Sequence, residues 1–523
     1  MSHTEVEHKP FSKIRNLIWP IHSFELKKLL PMFVMFFLIA FVYNLLHCLK
    51  VPLVVKAPGS GSEIIPFLQI VAILPVAFFL TWIYTKLLSR FSREHVFYMV
   101  VLGFLSYFVL FTFVLYPQRE LLQLDTIADF LQQRVFTGIG AKGFIAAIRH
   151  FNLAMFYVLA EMWSVMVLFM LFWGFANEVT NVHEAKRFYA IFAMGANCSG
   201  IISGQFAKLI DNINFIPVYS AYKGSEWLFL QLGFILVLSV VILGLFWWLN
   251  HRVFRESHAH LTAETPTTEQ TSLLECLSYL VKSRYVMYML LMVVGYYVVY
   301  NLSEIMWAYK LELIMETGKE INVYMNQVYT ITGIVSVLLA ILVSGNVIRK
   351  FGWTIAALVT PMIWLLTSVG FFAGMTFEGT VIFDVIGNII TNPANLVLLI
   401  GSAQICLGRG CKYTVFDGTK EIAFIPLSKD EQRKAKVIVD GLGSRFGKSG
   451  GSVIYVVLFY LCGEMANVIP YVGILIFVAL AAWIYATLKM GKIISHATET
   501  GHAVTLMQKP QAKDTPIIAG AKA

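Results

Sequence analysis

The sequence predicts an all-α membrane protein with twelve transmembrane helices. Of its 523 residues, 58% are hydrophobic and 14% are charged, whereas a soluble domain has about 25% charged residues. Apolar runs of about 20 residues, the length that spans a bilayer, recur along the whole chain. We place the twelve spans at roughly 29–49, 64–85, 96–116, 152–176, 188–210, 228–250, 285–308, 327–348, 353–375, 381–406, 437–461 and 468–488.

Basic residues are distributed unevenly over the predicted connections. If both termini are cytoplasmic, 28 of the 40 lysines and arginines lie on cytoplasmic segments and 10 on external ones. This asymmetry follows the positive-inside rule and predicts cytoplasmic termini. The net charge of +9 is therefore a signal of topology, and we expect no nucleic-acid partner. The first 28 residues lack the apolar core of a secretory signal and the composition of a transit peptide.

Two features divide the chain into halves. A polar stretch without apolar periodicity separates the sixth and seventh spans. The tetrapeptide Val42-Tyr43-Asn44-Leu45 in the first helix recurs as Val299-Tyr300-Asn301-Leu302 in the seventh, and a basic turn follows the second helix of each half. Such six-helix halves predict a major-facilitator-like fold, with a solute site near the midplane between them. The predicted segments are an N-terminal cytoplasmic segment at 1–28, an N-terminal half at 29–250, a cytoplasmic central loop at 251–284, a C-terminal half at 285–488 and a cytoplasmic tail at 489–523.

Charged side chains within the predicted spans are the main functional signal. Such a charge costs about 2.5–3.5 kcal/mol on insertion scales and normally faces a water-filled path. Lys448 lies roughly 15 Å from the inner end of the eleventh helix, and Glu161 roughly 13 Å into the fourth, at 1.5 Å per residue. We expect both to act on a charged solute. The alternatives are a structurally paired lysine and a protonated or paired structural glutamate.

Two further charges lie nearer the predicted external surface. Lys50 closes the first helix, and Glu304 lies just inside the outer end of the seventh, where His47 is its counterpart in the repeat. Either these groups form an external gate, in which a salt bridge with Lys50 or Arg149 breaks to admit a charged solute, or they extend to the interface. Arg149, which begins the fourth helix, either draws in anions or anchors to lipid headgroups.

Asn197 and Tyr157 complete the predicted substrate-binding residues. Asn197 lies about nine residues into the fifth helix, where an amide either binds a ligand or bonds to a neighbouring helix. Its helix corresponds to the eleventh in the repeat, so we expect it at a depth similar to that of Lys448. Tyr157 lies one turn before Glu161, and its ring either stacks on the base of a ligand or packs against other side chains of the protein. Two lysines with Arg149 suit a polyphosphate.

The run Gly447-Lys448-Ser449-Gly450-Gly451 resembles a phosphate-binding loop but does not match its spacing. That motif needs four residues between its first glycine and Gly-Lys-Ser, whereas Gly443 leaves three and Gly441 leaves five. The run also lies in a predicted membrane helix, so we do not expect ATP hydrolysis. A membrane enzyme is the alternative class, but we find no nucleophile–base set or metal cluster, and we expect no cofactor. The six cysteines are interpreted as buried free thiols.

Matching runs across both halves give the sequence a family resemblance. It resembles the ATP/ADP translocase family of nucleotide transporters, found in plastids and obligate intracellular bacteria. The matching runs are Lys50 with 53–55, Glu63 to Leu68, Tyr157 to Trp163, Phe172 to Asn177, Glu184 to Tyr189, Gly195 to Asn197, Asn301 to Trp307, Phe416-Asp417 with Lys420-Glu421 and Ile425 to Leu427, and Gly447 to Gly451.

The resemblance implies exchange of ATP for ADP across a membrane, with functional charges at Lys50, Glu161, Glu304 and Lys448. Without a plastid transit peptide, we expect a chlamydia-like bacterial member in the cell inner membrane. It would import ATP for internal ADP, alone or with phosphate, and would contact membrane lipid. The family usually has an acidic residue after the first lysine, whereas Val51 follows here. Proton-coupled nucleotide symport therefore stays the alternative.

Overall fold

The chain is described here from a computed structural model. The described residues are 25–136, 138–180, 182–211, 222, 225–253, 273–342, 344–381, 385 and 392–500. The predicted cytoplasmic segments 1–28, 251–284 and 489–523 lie mostly outside these ranges, as does the beginning of the predicted span 381–406. Every regular element within the described ranges is a helix.

The chain forms two compact units. The first unit takes its described residues from Met1–Phe136, Gly143–Pro266 and Met315–Ile334. Its helices are α1 (Leu26–Val55), α2 (Ile64–Phe67), α3 (Leu74–Leu88), α4 (Arg93–Leu110), α5 (Asp125–Arg134), α6 (Lys142–Arg149, from Gly143), α7 (Phe151–Trp163), α8 (Trp173–Val179), α9 (Val182–Asp211) and α10 (Glu226–Trp248). Wider π-helical turns extend this unit's helices at Leu68–Ile73, Phe111–Leu115, Ser164–Phe172 and Leu249–Val253.

The second unit takes its described residues from Thr137–Lys142, Thr267–Ile314 and Val335–Ala523. Its helices are α11 (Leu273–Lys282), α12 (Arg284–Ile314), α13 (Gly318–Leu342, shared with the first unit), α14 (Ser344–Phe377), α15 (Pro393–Cys411), α16 (Asp417–Phe424), α17 (Lys429–Lys436), α18 (Ser444–Cys462) and α19 (Met465–Thr500). A short 3₁₀ turn lies at Ile139–Ala141, and π-helical turns lie at Lys412–Phe416 and Val437–Gly443.

Nine helical segments of the described chain are long and apolar enough to cross a membrane. They are Leu26–Val55, Ile64–Leu88, Arg93–Leu115, Phe151–Val179, Glu226–Val253, Arg284–Ile314, Phe351–Phe377, Pro393–Phe424 and Met465–His496. The other three predicted spans fall on α9, on α13 and on α18 with the π-helical turn before it. The protein is thus an all-helical, multi-pass membrane protein in its described part, and the count of twelve stays a prediction.

Local sequence explains where several helices begin and end. α1 stops at Val55, where Pro58 cannot continue a helix and Gly59 takes a positive φ of 71°. The basic turn predicted after the second helix of the second half is a break inside α14, where Gly352 has φ 80° and ψ 172°. α15 begins at Asn392-Pro393, because the Asn392 side chain accepts a hydrogen bond from the Ala394 amide and proline fits the first helical turn.

The predicted tenth span and the loop after it require a correction. The sequence predicts that the span ends at 406 and that a cytoplasmic connection follows it, but α15 runs on to Cys411 and helical structure continues to Phe424. Arg409 had been counted as a loop residue, although it is 8% exposed within α15. This arginine lies beyond the predicted end of the span at 406, yet it continues the helix.

Candidate functional site

A buried ion pair between Lys50 of α1 and Glu161 of α7 is the central feature of the first unit. Lys50 is 3% exposed and Glu161 8% exposed, and the Lys50 Nζ donates to the Glu161 carboxylate. The same ammonium lies 4.8 Å from the centroid of the Tyr157 ring. Because Tyr157 precedes Glu161 by one helical turn, both reach Lys50 from one face of α7. The structure therefore brings three predicted site residues together.

The position of Lys50 excludes one of the two interpretations made from sequence, and its role in a gate stays a prediction. A snorkelling lysine keeps its ammonium in the interfacial water, but the Lys50 side chain is 4% exposed and its head group contacts Glu161 and Tyr157. A buried ammonium is tolerated when it is paired and hydrogen-bonded. Lys50 is therefore a buried, charge-paired residue, and the snorkelling alternative was wrong.

α7 is held in place by aromatic packing beside this pair. Trp163 is fully buried, and its indole N–H donates to the carbonyl of Ile39 on α1 at 3.2 Å. The Phe104 and Phe108 rings of α4 pack against the indole, with centroid separations of 5.6 and 6.1 Å. These contacts fix the spacing of α1 and α7, and therefore the distance between Lys50 and Glu161.

Arg149 makes a different set of contacts from those expected. It closes α6, and its guanidinium pairs with Asp129 at 2.5 Å and Asp125 at 3.7 Å, both on α5. Its side chain is 28% exposed, and the two carboxylates are about half exposed. The backbone adds a hydrogen bond from the Leu124 amide to the Arg149 carbonyl at 3.1 Å. In this structure Arg149 joins α5 to α6.

Asn197 lies where α9 packs closely on the first part of α13. A Cβ added at Gly333 of α13 would lie 2.8 Å from the Asn197 carbonyl oxygen, and one added at Gly204 would lie 2.5 Å from the Asn326 carbonyl oxygen. Two residues after Asn197, the hydroxyl of Ser199 accepts a hydrogen bond from Asn44 of α1 at 2.9 Å. Small residues therefore bring three helices together around the half-buried Asn197.

His47, the predicted counterpart of Glu304, is 7% exposed on α1. Its Nε2 lies 2.8 Å from the hydroxyl of Tyr329 on α13. The internal repeat predicts that His47 lies at the same depth as Glu304. It does not indicate that Tyr329 is the hydrogen-bond partner of His47. The histidine therefore belongs to the packing between α1 and α13 within the first unit.

Glu304 lies in a polar cluster of the second unit. The Tyr300 hydroxyl donates to the Glu304 Oε1 at 2.7 Å, one turn earlier on α12. The Arg409 guanidinium lies 5.9 Å from the centroid of the Tyr300 ring. Sequence reasoning missed Arg409 because it stood at the end of an apolar run. Tyr300 belongs to the repeated tetrapeptide, so the repeat was a signal that could have singled it out.

The glycines around Lys448 allow α18 to pack closely on α12. A Cβ at Gly447 would lie 2.6 Å from the Tyr297 Cβ, and one at Gly451 would lie 3.0 Å from the Asn301 Oδ1. Ser452 then donates to the same Asn301 oxygen at 3.1 Å. Lys448 is half-buried on α18, in regular helix rather than in a phosphate-binding loop.

A second buried lysine was missed by the sequence reasoning. Lys310 on α12 is 3% exposed and donates to both carboxylate oxygens of Glu378, at 2.7 and 2.6 Å. It had been counted with the external connection after the seventh span. The structure instead continues α12 to Ile314, so Lys310 is a helical residue with a buried head group.

Comparison with solved structures identifies the fold. The chain matches a D-xylose–proton symporter with a TM-score of 0.51, covering 90% of this chain and 97% of the symporter. It matches a bacterial homologue of the iron transporter ferroportin in an inward-facing state with a TM-score of 0.55, covering 90% and 99%. Sequence identity is 12% in both cases, so the likeness is one of fold. It confirms the predicted major-facilitator-like architecture.

Comparison with known sequences identifies the family. The "ADP,ATP carrier protein 1" of Chlamydia pneumoniae is 38% identical, over 94% of this chain and 96% of that protein. The chloroplastic "ADP,ATP carrier protein 1" of Arabidopsis thaliana is 35% identical, over 90% and 74%, and "ADP,ATP carrier protein 4" of Rickettsia felis is 32% identical, over 92% and 94%. The model of the TLC ATP/ADP transporter family matches residues 4–493. The resemblance stated from sequence is confirmed, and the chain belongs to the TLC ATP/ADP transporter family.

Proposed function

We propose that the protein is an ATP/ADP antiporter that imports external ATP in exchange for internal ADP by alternating access. It would lie in a bacterial inner membrane with both termini in the cytoplasm. Family membership supports this proposal, since relatives at 32–38% identity are named ADP,ATP carrier proteins. The charge asymmetry of the connections supports the orientation. Transport leaves the nucleotide chemically unchanged, so we expect intact ATP after uptake.

The buried pair of Lys50 and Glu161 is the observation that carries the mechanism. In a site without nucleotide, Glu161 neutralises the Lys50 ammonium, which is otherwise costly to bury. A phosphate oxygen offers Lys50 the same charge and a hydrogen bond of the same kind. An arriving nucleotide therefore replaces Glu161 as the partner of Lys50. Tyr157, whose ring already faces the ammonium, borders the space in which that replacement occurs.

The other proposed contacts lie on helices with closely packed glycines. Lys448 binds phosphate from α18, and Asn197 shapes the site from α9. Glu304, held by Tyr300, supplies the second carboxylate that balances the lysines between transport steps. Arg149 is left out of the proposed contacts, because its described salt bridges go to Asp125 and Asp129.

Obligate exchange follows from this charge balance. When a nucleotide leaves, each lysine returns to a carboxylate, and the resulting pair must break before the carrier can reorient. A bound nucleotide replaces those carboxylates and lowers the barrier to reorientation. The carrier therefore moves readily only when loaded, so each nucleotide that enters is matched by one that leaves.

Purified protein in lipid vesicles tests the proposal. Vesicles are loaded with ADP, with phosphate or with buffer, and entry of labelled ATP is followed. We expect rapid uptake only with internal ADP, one ADP released per ATP, and unhydrolysed ATP inside. Uptake that is independent of internal nucleotide and driven by a pH gradient would instead support proton symport.

The Lys448→Ala substitution tests the assignment of the site. We expect it to abolish exchange while the protein still inserts into the membrane. Lys489→Gln provides the control, because Lys489 lies on α19 with its ammonium 5.4 Å from the Tyr485 ring and outside the proposed contacts. Normal exchange by the Lys448 variant would contradict its role in phosphate binding.

A further inference from the structure

A cavity of about 330 Å³ opens in the first unit and is lined in part by residues of α1 and α7, the two helices that carry the buried pair. Its walls come from the end of α1, the turn after Leu115, the start of α7, the start of α10 and the residues that lead into α13. On the sequence-based topology, these segments are all external connections or the helix ends beside them. The volume lies in the range of about 300–1,000 Å³ that is usual for small-molecule sites.

The charged side chains that line this cavity are mostly cationic. Lys56, Arg119 and Lys319 contribute three positive charges, and Glu120 contributes one carboxylate. Glu120 lies 3.8 Å from the Arg119 guanidinium, and its side chain is 83% exposed against 31% for Arg119, so water screens the carboxylate more strongly than it screens that arginine. A cleft lined with one sign of charge concentrates ions of the opposite sign and raises their rate of association.

Aromatic packing holds Arg119 at the cavity. Its guanidinium lies 4.5 Å from the Tyr116 ring centroid and donates to the Tyr116 carbonyl at 3.2 Å. The Tyr116 ring stacks on Tyr222 at 4.8 Å, and the Tyr222 hydroxyl donates to the Thr112 carbonyl at 2.7 Å. Since burial raises the pKa of Tyr222, this phenol stays neutral, and Arg119 rests on a fixed aromatic support.

The cavity and the Lys50–Glu161 pair share two helices, α1 and α7. On α1, Pro52 and Leu53 line it, and Lys50 lies only two residues before Pro52. On α7, Leu153 lines it, and Glu161 follows eight residues later, about 12 Å further along the axis at 1.5 Å per residue. An anion held in the cavity is therefore within one to three helical turns of the pair.

We propose that this cavity is an outer binding site for the polyphosphate of a nucleoside di- or triphosphate, occupied before the nucleotide reaches Lys50. This proposal deepens the proposed function and rests on it. Lysine ammonium groups can follow a mobile phosphate, and the fixed arginine can bind it through two hydrogen bonds. Trp227, which also lines the cavity, provides an aromatic wall for the base.

The test compares two triple variants in nucleotide-exchange assays. The cavity variant combines Lys56→Gln, Arg119→Gln and Lys319→Gln. The control combines Arg134→Gln, Lys86→Gln and Lys489→Gln, three basic residues that do not line the cavity. We expect the cavity variant to raise KM for ATP about tenfold at low salt, with Vmax within about twofold, because the site acts on association. The difference should shrink at about 1 M salt, where the Debye length is about 3 Å.

Lipid composition separates the two sources of phosphate. In vesicles of phosphatidylcholine alone, an increase in KM that is confined to the cavity variant supports nucleotide binding. An effect that appears only when anionic lipid is added would overturn the proposal in favour of a lipid headgroup. If the triple variant does not insert, Arg119→Gln is compared with Arg134→Gln, which removes the same charge from the same connection. A KM equal to that of the control would also overturn it.

The unaltered protein separates this proposal from the proposed function. If it exchanges nucleotide and the cavity variant has an unchanged KM, the outer site alone is refuted. If the unaltered protein does not exchange ATP for ADP in the same vesicles, the proposed function is refuted, and the outer site, which rests on that function, is refuted as well.

Discussion

Reversal of the Lys50–Glu161 pair separates charge balance from substrate binding. The Lys50→Ala substitution leaves the Glu161 carboxylate without its lysine in an environment where its side chain is 10% exposed. The double substitution Lys50→Glu with Glu161→Lys restores an ion pair between the same two helices. It also moves the ammonium from α1 to α7, away from the proposed phosphate position.

The structure sets the magnitudes. At a hydrogen-bonded separation of about 2.8 Å, the attraction between two unit charges is roughly 6 kcal/mol at an effective dielectric constant of about 20. Desolvation of both groups offsets much of this attraction, so the pair contributes little net stability, but loss of one partner costs about 3–5 kcal/mol. Loss of one charged hydrogen bond to phosphate costs about 1.5–3 kcal/mol, or roughly 10- to 150-fold in affinity.

Thermal unfolding and ATP/ADP exchange are measured on each purified variant. We expect Lys50→Ala to be strongly destabilised and inactive. The reversed pair should regain most of the stability but keep less than about a tenth of the exchange rate. The control reverses Lys310 and Glu378, a part-buried pair outside the proposed contacts, and should retain exchange. Wild-type exchange by the reversed Lys50–Glu161 pair would refute direct binding of phosphate by Lys50.

Three further predictions concern packing and Arg149. Gly447→Ala should lower the melting temperature and slow exchange, since overpacking costs about 1–3 kcal/mol, whereas Gly450→Ala meets open space and should not. Gly204→Ala should likewise destabilise the protein in thermal unfolding, because its Cβ would overlap α13, while Gly233→Ala, with no atom within 4 Å, provides the control. Arg149→Ala should reduce stability by less than about 1 kcal/mol and leave KM for ATP within about twofold in the exchange assay; a tenfold rise would restore Arg149 to the substrate site.

Depth within an apolar run was the property that sequence could reveal. Glu161 and Lys448 lie far from either end of their apolar runs. A charge at such a depth is costly whatever the tertiary structure, so the sequence alone marks both residues. Both residues lie in helical segments where the sequence placed them. The partner of Glu161 was harder to predict, because Lys50 lies 111 residues away along the chain, and spatial contact between α1 and α7 depends on packing.

Charges near the ends of apolar runs were misjudged for a physical reason. The sequence analysis assigns Arg409 and Lys310 to connections because they follow the predicted ends of the spans at 406 and 308. Both lie inside helices that run on by several residues, and each is less than 10% exposed. Folding compensates these charges with groups that are distant in sequence, Tyr300 for the arginine and Glu378 for the lysine. A single sequence does not reveal which charges will find such partners.

The glycines near Lys448 carried a signal that was overlooked. Gly443, Gly447 and Gly451 are four residues apart and so share one helical face, and that face packs on α12. Gly441 and Gly450 fall off this spacing and have open space beside them. The spacing could have separated the packing glycines from the others, and it implies that only two of the five could admit a ligand.

The two buried lysines have partners that differ in a way that bears on mechanism. Lys50 and Glu161 have side chains that are 4% and 10% exposed, whereas Glu378, the partner of Lys310, is 30% exposed. When both partners are dehydrated, the desolvation cost cancels most of their attraction. An anion that takes over the pairing with Lys50 can therefore displace Glu161 at a small net cost. Glu378 keeps part of its hydration and binds Lys310 through both oxygens, which favours a permanent link. In the proposed exchange of partners, the displaced Glu161 carboxylate stays beside the arriving ligand, so we expect a multiply charged anion to hold Lys50 better than a singly charged solute and the site to favour polyphosphates.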